Sequence, residues 1–449
     1  MATCAFDLVV LGSGFAGYEI ARVAAGLGRR VLVVEKGADD LTRADPAESR
    51  VAAIDEPIRS GGFDFGVEVP PAFDGVPRYI GLGGTAELWS GKWRRLDAVD
   101  LTRERQGRRW PIGPDELDAW YARVAADYGV PVWEPDPAFD RAREAAEREG
   151  LRLIEMYEER QPTRLRARWQ ALVDEGVEVW CRADVLRGVL SGRRAMDGPD
   201  RLKGIVVRRG GVDTVVEAGD VVVACGGIES IAVSHRLRPD RRGGPARYGG
   251  FADHPKAFVG SVAAPRRHWI VDALQRAHAG HGRLAAFGLP EAEVAARGGG
   301  NHTLFVVPDG GEPSDVPARL MLSLEQFPED GNHIRIAPES AVAWRVSEST
   351  RADARTFLSA AVPRLAALLG SAATAADGEP AWRGASHHAA ALPMGPPGRG
   401  YLDASCRFHD VPNLACVSSA VFPLAGSANP TMTILALARR WADTTYGAR

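Results

Sequence analysis

An α/β fold built on a parallel sheet covered on both faces is predicted by three neighbouring observations at the start of the 449-residue chain. Residues Phe6 to Leu11 form a nearly continuous apolar run, the pattern of a strand buried on both sides. The glycine-rich stretch Gly12-Ser13-Gly14-Phe15-Ala16-Gly17 follows at once, and Ala16, Ile20, Val23 and Leu27 then recur at helical spacing. A second apolar run, Val31 to Val34, ends at Glu35. Strand, tight turn, helix and strand in this order make a Rossmann-like unit.

The turn has the chemistry of a dinucleotide site. Gly12, Gly14 and Gly17 let the chain turn sharply and bring backbone N–H groups close to a pyrophosphate at a helix N-terminus, with Phe15 and Ala16 completing the loop. Glu35 stands 18 residues beyond Gly17 (35 − 17), where a carboxylate can accept hydrogen bonds from ribose hydroxyls, and Lys36 is counted with it. The motif by itself does not separate NAD from FAD.

Hydrophobic residues at 45%, charged residues at 25% and a formal charge of -3 favour neither nucleic acid nor anionic membrane as a partner. No stretch approaches the roughly 20 uninterrupted apolar residues that span a bilayer. The first apolar run is too short for a signal-peptide core and reads as a mature strand. Five cysteines, Cys4, Cys181, Cys225, Cys406 and Cys416, show no metal-ligand spacing and suit a reducing cytoplasm.

Further along, Gly81-Leu82-Gly83-Gly84-Thr85 is a second glycine turn, and Pro114 to Tyr128 reads as a helix. Between Val177 and Val223 short β-prone runs suggest a meander, closing in the buried strand and glycine turn of Asp220 to Glu229. Residues 256–385 carry weak signals; Ala295 to Gly300 and Gly370 to Gly378 read as loops. From Asn413 the pattern sharpens to a short strand, a turn from Pro423 to Asn429, and a helix opened by Pro430 and running through Thr431 to Trp441.

Four of these segments together resemble the glucose-methanol-choline (GMC) oxidoreductase family. They are Val9 to Gly17, Gly81 to Trp93 (GLGGTAELWSGKW), Val221 to Ser230 (VVVACGGIES), and Asn413 to Asp443, which contains VFPLAGSANPTMTILALARRWAD. Smaller matches are the segment from Trp110 to Leu117 and Asp253-His254-Pro255, similar to the family's DHP. The resemblance implies a Rossmann-like FAD-binding domain assembled from residues 1–100, 177–255 and 386–449. An α+β substrate-binding domain would take 101–176 and 256–385. Gly83, Gly84, Thr85, Trp89 and Val185 would line FAD, as would Cys225 and Gly226. Ser419, Ala420, Asn429, Pro430 and Thr431 would do so from the C-terminal side.

The same resemblance implies a catalytic pair. His387, placed by spacing back from Met394-Gly395, matches the family's histidine, and Asn429 its partner at the start of the last helix. Ala390 replaces the usual glycine and Leu392-Pro393 the usual polar residues, which keeps His388 as an alternative base. An alcohol becomes a hydride donor as its O–H proton leaves, and a neutral imidazole can take that proton, an effect of roughly 10²- to 10⁴-fold. Asn429 would hold the same oxygen and fix which C–H faces flavin N5. The helix opened by Pro430 would direct its N-terminal N–H groups toward the reduced flavin's negative charge.

Some relatives attach FAD covalently through a histidine where this chain has Leu88, so noncovalent FAD is expected. The histidine and GSANPT segments look closest to the sugar-oxidising branches. A sugar, glycoside or aminocyclitol-type hydroxyl is therefore the favoured substrate, with oxygen or another electron acceptor. A non-sugar alcohol, or a non-redox lyase on the same scaffold, is the alternative. Trp269, Trp344 and Trp382 are candidate stacking faces, and Arg266 to Arg283 reads as an anion-binding segment or a solvated loop.

Overall fold

The computed structural model describes residues 3–39, 78–191, 200–238, 247–263, 268–308, 318–336 and 341–447. The first strand, Thr3–Leu11, runs parallel to Val31–Val34 on one side and to Val212–Val223 on the other. Being central, it buries both faces: Leu8, Val9 and Val10 have no exposure. That is why its sequence is continuous rather than alternating. Glu178–Trp180 and Val411–Cys416 extend the parallel set outward, and Arg407–Phe408 closes one edge antiparallel.

The region expected as a meander divides. Glu178–Trp180 joins the parallel sheet, while Ala183–Leu190, Leu202–Arg209 and Val212–Val223 are the antiparallel meander. Val212–Val223 serves both: it is the meander's last strand and the neighbour of Thr3–Leu11 from Val215 to Val223. A sequence pattern cannot reveal this double pairing, because one strand has two edges.

A second sheet is antiparallel, in the order Ala373–Ala375, Lys256–Val262, Ala318–Ser323, Thr303–Pro308, Arg283–Gly288, Arg152–Glu158, Lys92–Trp93. A third holds Ala341–Ala343, His333–Arg335 and Arg247–Gly249. The result is an α/β fold with a mixed parallel sheet and a separate antiparallel one. Lys92–Trp93 and Arg247–Gly249, from the segments expected to bind FAD, pair into the second and third sheets.

Three expectations for the weakly marked middle need correction. The helix Glu291–Arg297 occupies part of Ala295 to Gly300 and stops at left-handed Gly298. Ala373–Ala375 is an edge strand within Gly370 to Gly378. Most of Arg266 to Arg283 is the helix His268–His281, which buries Ile270, Ala273 and Ala277 at helical spacing. Small residues make a narrow packing stripe there, and Ala/Gly-rich composition conceals it. Among the described residues no helix is long and apolar enough to cross a membrane.

The first turn is sterically closed where the sequence requires glycine. A Cβ on Gly17 would lie 2.0 Å from the Gly12 carbonyl oxygen, and one on Gly12, whose φ is +99°, 2.7 Å from that of Ala224. Gly17→Ala should therefore destabilise the protein by about 1–3 kcal/mol through forced backbone displacement. A thermal unfolding midpoint equal to wild type would contradict this packing.

Candidate functional site

At the end of Thr3–Leu11 the chain enters the helix Phe15–Gly26 through Ser13, which is almost fully buried. Its hydroxyl donates to Glu35 Oε2 at 2.6 Å, its N–H donates to the same oxygen at 3.1 Å, and the N–H of Gly83 donates to its Oγ at 3.0 Å. Trp169 Nε1 donates to its carbonyl at 2.8 Å. Ser13 thus joins the two glycine turns, a task hidden behind the motif's variable position. Glu35 is first a strut for this loop, since its Oε1 also accepts from Gly37 N–H at 2.8 Å. Burial pushes its pKa up, against the lowering effect of these donors.

Gly14 behaves differently from Gly12 and Gly17. A Cβ there would meet only the Gly83 carbonyl, at 3.9 Å, so the backbone at the helix N-terminus lies bare to a cavity of about 520 Å³. Lys36, Arg78 and Arg236 line this cavity. Arg78 pairs with Glu229, and burial brings its guanidinium down to about 10. A bare N-terminal turn, an acid at the second strand's end and nearby cations are the donor set that a dinucleotide needs, and these residues fit FAD.

The other end of the cavity is assembled by Asp253, which has no exposure. Its Oδ1 accepts from the backbone N–H of His254 (2.7 Å) and of His387 (2.8 Å), and Oδ2 from that of Ala385 (3.1 Å). Ala252 exchanges two backbone hydrogen bonds with Ala389, and Lys256 two with Arg383, so segments 252–256 and 383–389 lie side by side. His387 Nε2 then lies 3.3 Å from Asn429 Nδ2, and its Nδ1 lies 2.9 Å from His254 Nδ1. His387 is half-buried and lines the cavity. Burial holds its pKa well below the ordinary imidazole value, reinforced by His254, Lys256, His388 and Lys92.

His388 also lines the cavity, but its ring makes different contacts. Its ring is tilted against Phe251 at 5.7 Å, its Nε2 has no hydrogen-bond partner among the described residues, and burial lowers it to about 4. Its carbonyl oxygen accepts from Ser419 Oγ at 2.6 Å and lies 2.0 Å from where a Cβ on Gly227 would stand. Ala390 adopts φ +69°, in the left-handed region that favours glycine. Backbone bonds from Ala390, Leu392 and Met394 to residues 419–421 continue the strand-like register through Leu392-Pro393.

Asn429 ends a turn that buried Arg94 braces. Arg94 Nη1 donates to Thr303 Oγ1 (2.9 Å) and to the carbonyl and hydroxyl oxygens of Ser427 (both 3.2 Å), while Nη2 reaches Asp97 at 2.7 Å. Trp110 Nε1 donates to the Leu424 carbonyl at 3.0 Å. Pro430 caps the helix Thr431–Tyr446, and Thr431 lines the cavity at that helix's N-terminus.

Of the sequence-predicted cofactor residues, Gly12, Gly14, Phe15, Ala16, Glu35 and Lys36 line one continuous cavity. So do Gly84, Thr85, Trp89, Val185, Cys225 and Gly226, and Ser419, Asn429, Pro430 and Thr431 at its other end. Gly17, Gly83 and Ala420 do not reach it. Gly17 packs on Gly12, Gly83 donates to Ser13, and Ala420 is fully buried, its carbonyl accepting from Leu392 N–H. The stacking tryptophans are also elsewhere: Trp344 is buried on Gln326, Trp382 donates to Glu379, and Trp269 is 40% exposed. Sequence reading missed Ser13, Arg78, Lys92, Lys256 and Ser386 as cavity residues, although Ser13 and Lys92 lie inside the two glycine-rich segments, Ser386 adjoins His387, and Lys256 directly follows the DHP segment.

Residues 331–438 match the family model described as GMC oxidoreductase. No curated protein matches the chain. Pyridoxine 4-oxidase from Mesorbium loti is similar in structure, with a TM-score of 0.61 and 17% identity over 99% of this chain and 100% of that one. A formate oxidase variant from Aspergillus oryzae RIB40 gives 0.59 and 13% over 99% and 98%. At these identities the likeness is one of fold.

The Arg94 brace has a measurable consequence. Arg94→Met leaves Asp97 short of one buried cation and frees the turn before Asn429, and should lower unfolding stability by about 3 kcal/mol. An unchanged denaturant midpoint would show that the turn stands without it.

Proposed function

We propose that this chain, a GMC-family oxidoreductase acting on CH–OH donors, oxidises a substrate hydroxyl to a carbonyl, with His387 Nε2 receiving the hydroxyl proton. The observation that supports it most is the pairing of His387 with Asn429 at 3.3 Å, at the far end of the cavity that begins at Gly14. FAD, when bound there, supplies the acceptor for the two electrons and the hydrogen that leave the substrate carbon together.

The chain's own residues handle the proton. A base must be neutral to accept one, and burial among Lys92, Lys256 and two other imidazoles keeps His387 neutral. Lys92 is paired with Glu158 Oε1 at 2.8 Å, and the charge of Lys256 favours negative charge developing on the substrate oxygen. Asn429 orients that oxygen through its amide. His388, packed on Phe251 and bonded to no partner from Asn429's turn, is better suited to holding the backbone.

The sugar, glycoside or aminocyclitol reading is supported by the resemblance of the histidine and GSANPT segments and by polar residues in the lining of the cavity, Ser90, Lys92, Lys256 and Ser386 among them. Pyridoxine is the second substrate to test, because the neighbour that acts on it matches this chain over its whole length. Leu88, which lines the cavity at the position where some relatives carry the attached histidine, supports noncovalent FAD.

Anaerobic flavin bleaching with a panel of sugars, cyclitols and pyridoxine tests the reaction. His387→Ala and Asn429→Ala should slow bleaching by roughly 10²- to 10⁴-fold and His388→Ala far less; wild-type bleaching by His387→Ala would refute the assignment. Substrate consumption without bleaching would instead indicate a lyase. Because His387 must be neutral to act and its pKa lies below the ordinary 6.5, the acid limb of kcat/KM should fall below pH 6.5. A limb at or above that pH contradicts the proposal. Acid denaturation should release all the flavin into solution; flavin retained on the precipitated chain would disprove noncovalent attachment.

A further inference from the structure

We propose that His254 is a positioning residue for the base: its Nδ1 accepts the Nδ1–H of His387, selecting the tautomer that leaves His387 Nε2 unprotonated beside Asn429. The inference rests on the reading of His387 as the base, and it starts from a contact between two rings distant in sequence. His254 Nδ1 and His387 Nδ1 are 2.9 Å apart, with ring centroids at 4.9 Å and planes at 81°.

Each neutral imidazole carries one N–H, so one of these nitrogens donates and the other accepts. In the first arrangement Asn429 Nδ2–H donates to His387 Nε2 and His387 Nδ1–H donates to His254 Nδ1, so both ring nitrogens of His387 are matched. The reverse arrangement turns over the Asn429 amide. It also places a proton on His387 Nε2, where the substrate's proton must arrive.

The first arrangement puts the remaining proton of His254 on Nε2. That atom is buried and has no hydrogen-bond partner among the described residues. An unpaired buried N–H is a cost that this arrangement carries. It persists because His254 and His387 are both tied through their backbone N–H groups to the same oxygen of Asp253. The rings therefore meet whatever the cost at Nε2.

His254 can accept only while it is neutral. Its pKa is brought down to about 4, chiefly by burial, with Lys256 and Arg94 acting in the same direction and Asp253 and Glu325 opposing them. Once His387 has taken the substrate proton, its Nδ1–H still points at a neutral acceptor. A carboxylate in this place would orient the ring equally well but would raise the proton affinity of His387. A neutral imidazole orients it and leaves the low affinity intact.

The test uses FAD-loaded protein labelled with ¹⁵N-histidine, with the His387 signals assigned by their loss in His387→Ala. His387 Nδ1 should show the shift of a protonated ring nitrogen and Nε2 that of an unprotonated one; the opposite pattern overturns the proposal. In parallel, His254→Phe removes the acceptor and should lower kcat for anaerobic flavin reduction roughly 10- to 100-fold with little change in KM. His254→Asn, whose Oδ1 stands near the position of Nδ1, should recover most of the rate. Equal rates for His254→Phe and wild type would also overturn it. If His254→Phe does not fold, the tautomer signals of the wild type decide. If His387→Ala bleaches flavin normally, the base assignment fails, while those signals still report separately on His254.

Discussion

Three backbone N–H groups from two chain segments 133 residues apart converge on the buried carboxylate of Asp253. An ionised carboxylate is an acceptor only, with room for about four donors, and irregular backbone supplies donors that no helix or strand satisfies. The match resolves two costs at once: a charge in the interior and unpaired N–H groups in a loop. Its own N–H is taken by Gln326 Oε1, which also accepts from Trp344 Nε1. The geometry of His254 and His387 follows from this one side chain, and the remaining site residues are arranged around it.

The opposite end of the cavity uses the same device. Glu35 accepts from the backbone of Ser13 and Gly37 and from the Ser13 hydroxyl, and Ser13 in turn ties in Gly83. A buried acid at each end thus shapes a loop from within, leaving the loop's outer face to the cavity. Between them the glycines divide their work. Gly12 and Gly17 allow close packing against the protein, whereas Gly14 leaves backbone open to a ligand.

Elements with a regular apolar pattern were the most legible in the sequence, whether a strand buried on both faces or a helix buried on one. Val31–Val34 and Pro114–Tyr128 have the boundaries their patterns predicted, and the first strand begins three residues earlier than its apolar run. Legibility failed where small residues carry the packing. The helix His268–His281 buries two alanines and an isoleucine and reads as a loop; the edge strand Ala373–Ala375 pairs through its backbone with Gly260 to Val262 and needs no apolar run of its own. Ala390 takes a positive φ, and the surrounding backbone bonds hold it there.

The sequence by itself determined the strand-turn-helix-strand unit, the sharp glycine turn at its centre, and the helix opened by Pro430. These are local properties: periodicity, turn sterics and the missing N–H of proline act within a few residues. Only the tertiary structure decided that Ser13 joins two glycine turns, that Arg94 braces the turn before Asn429, and that His254 meets His387. Each of those is a contact between segments 70 to 333 residues apart, made by buried polar groups whose partners are chosen by the packed fold.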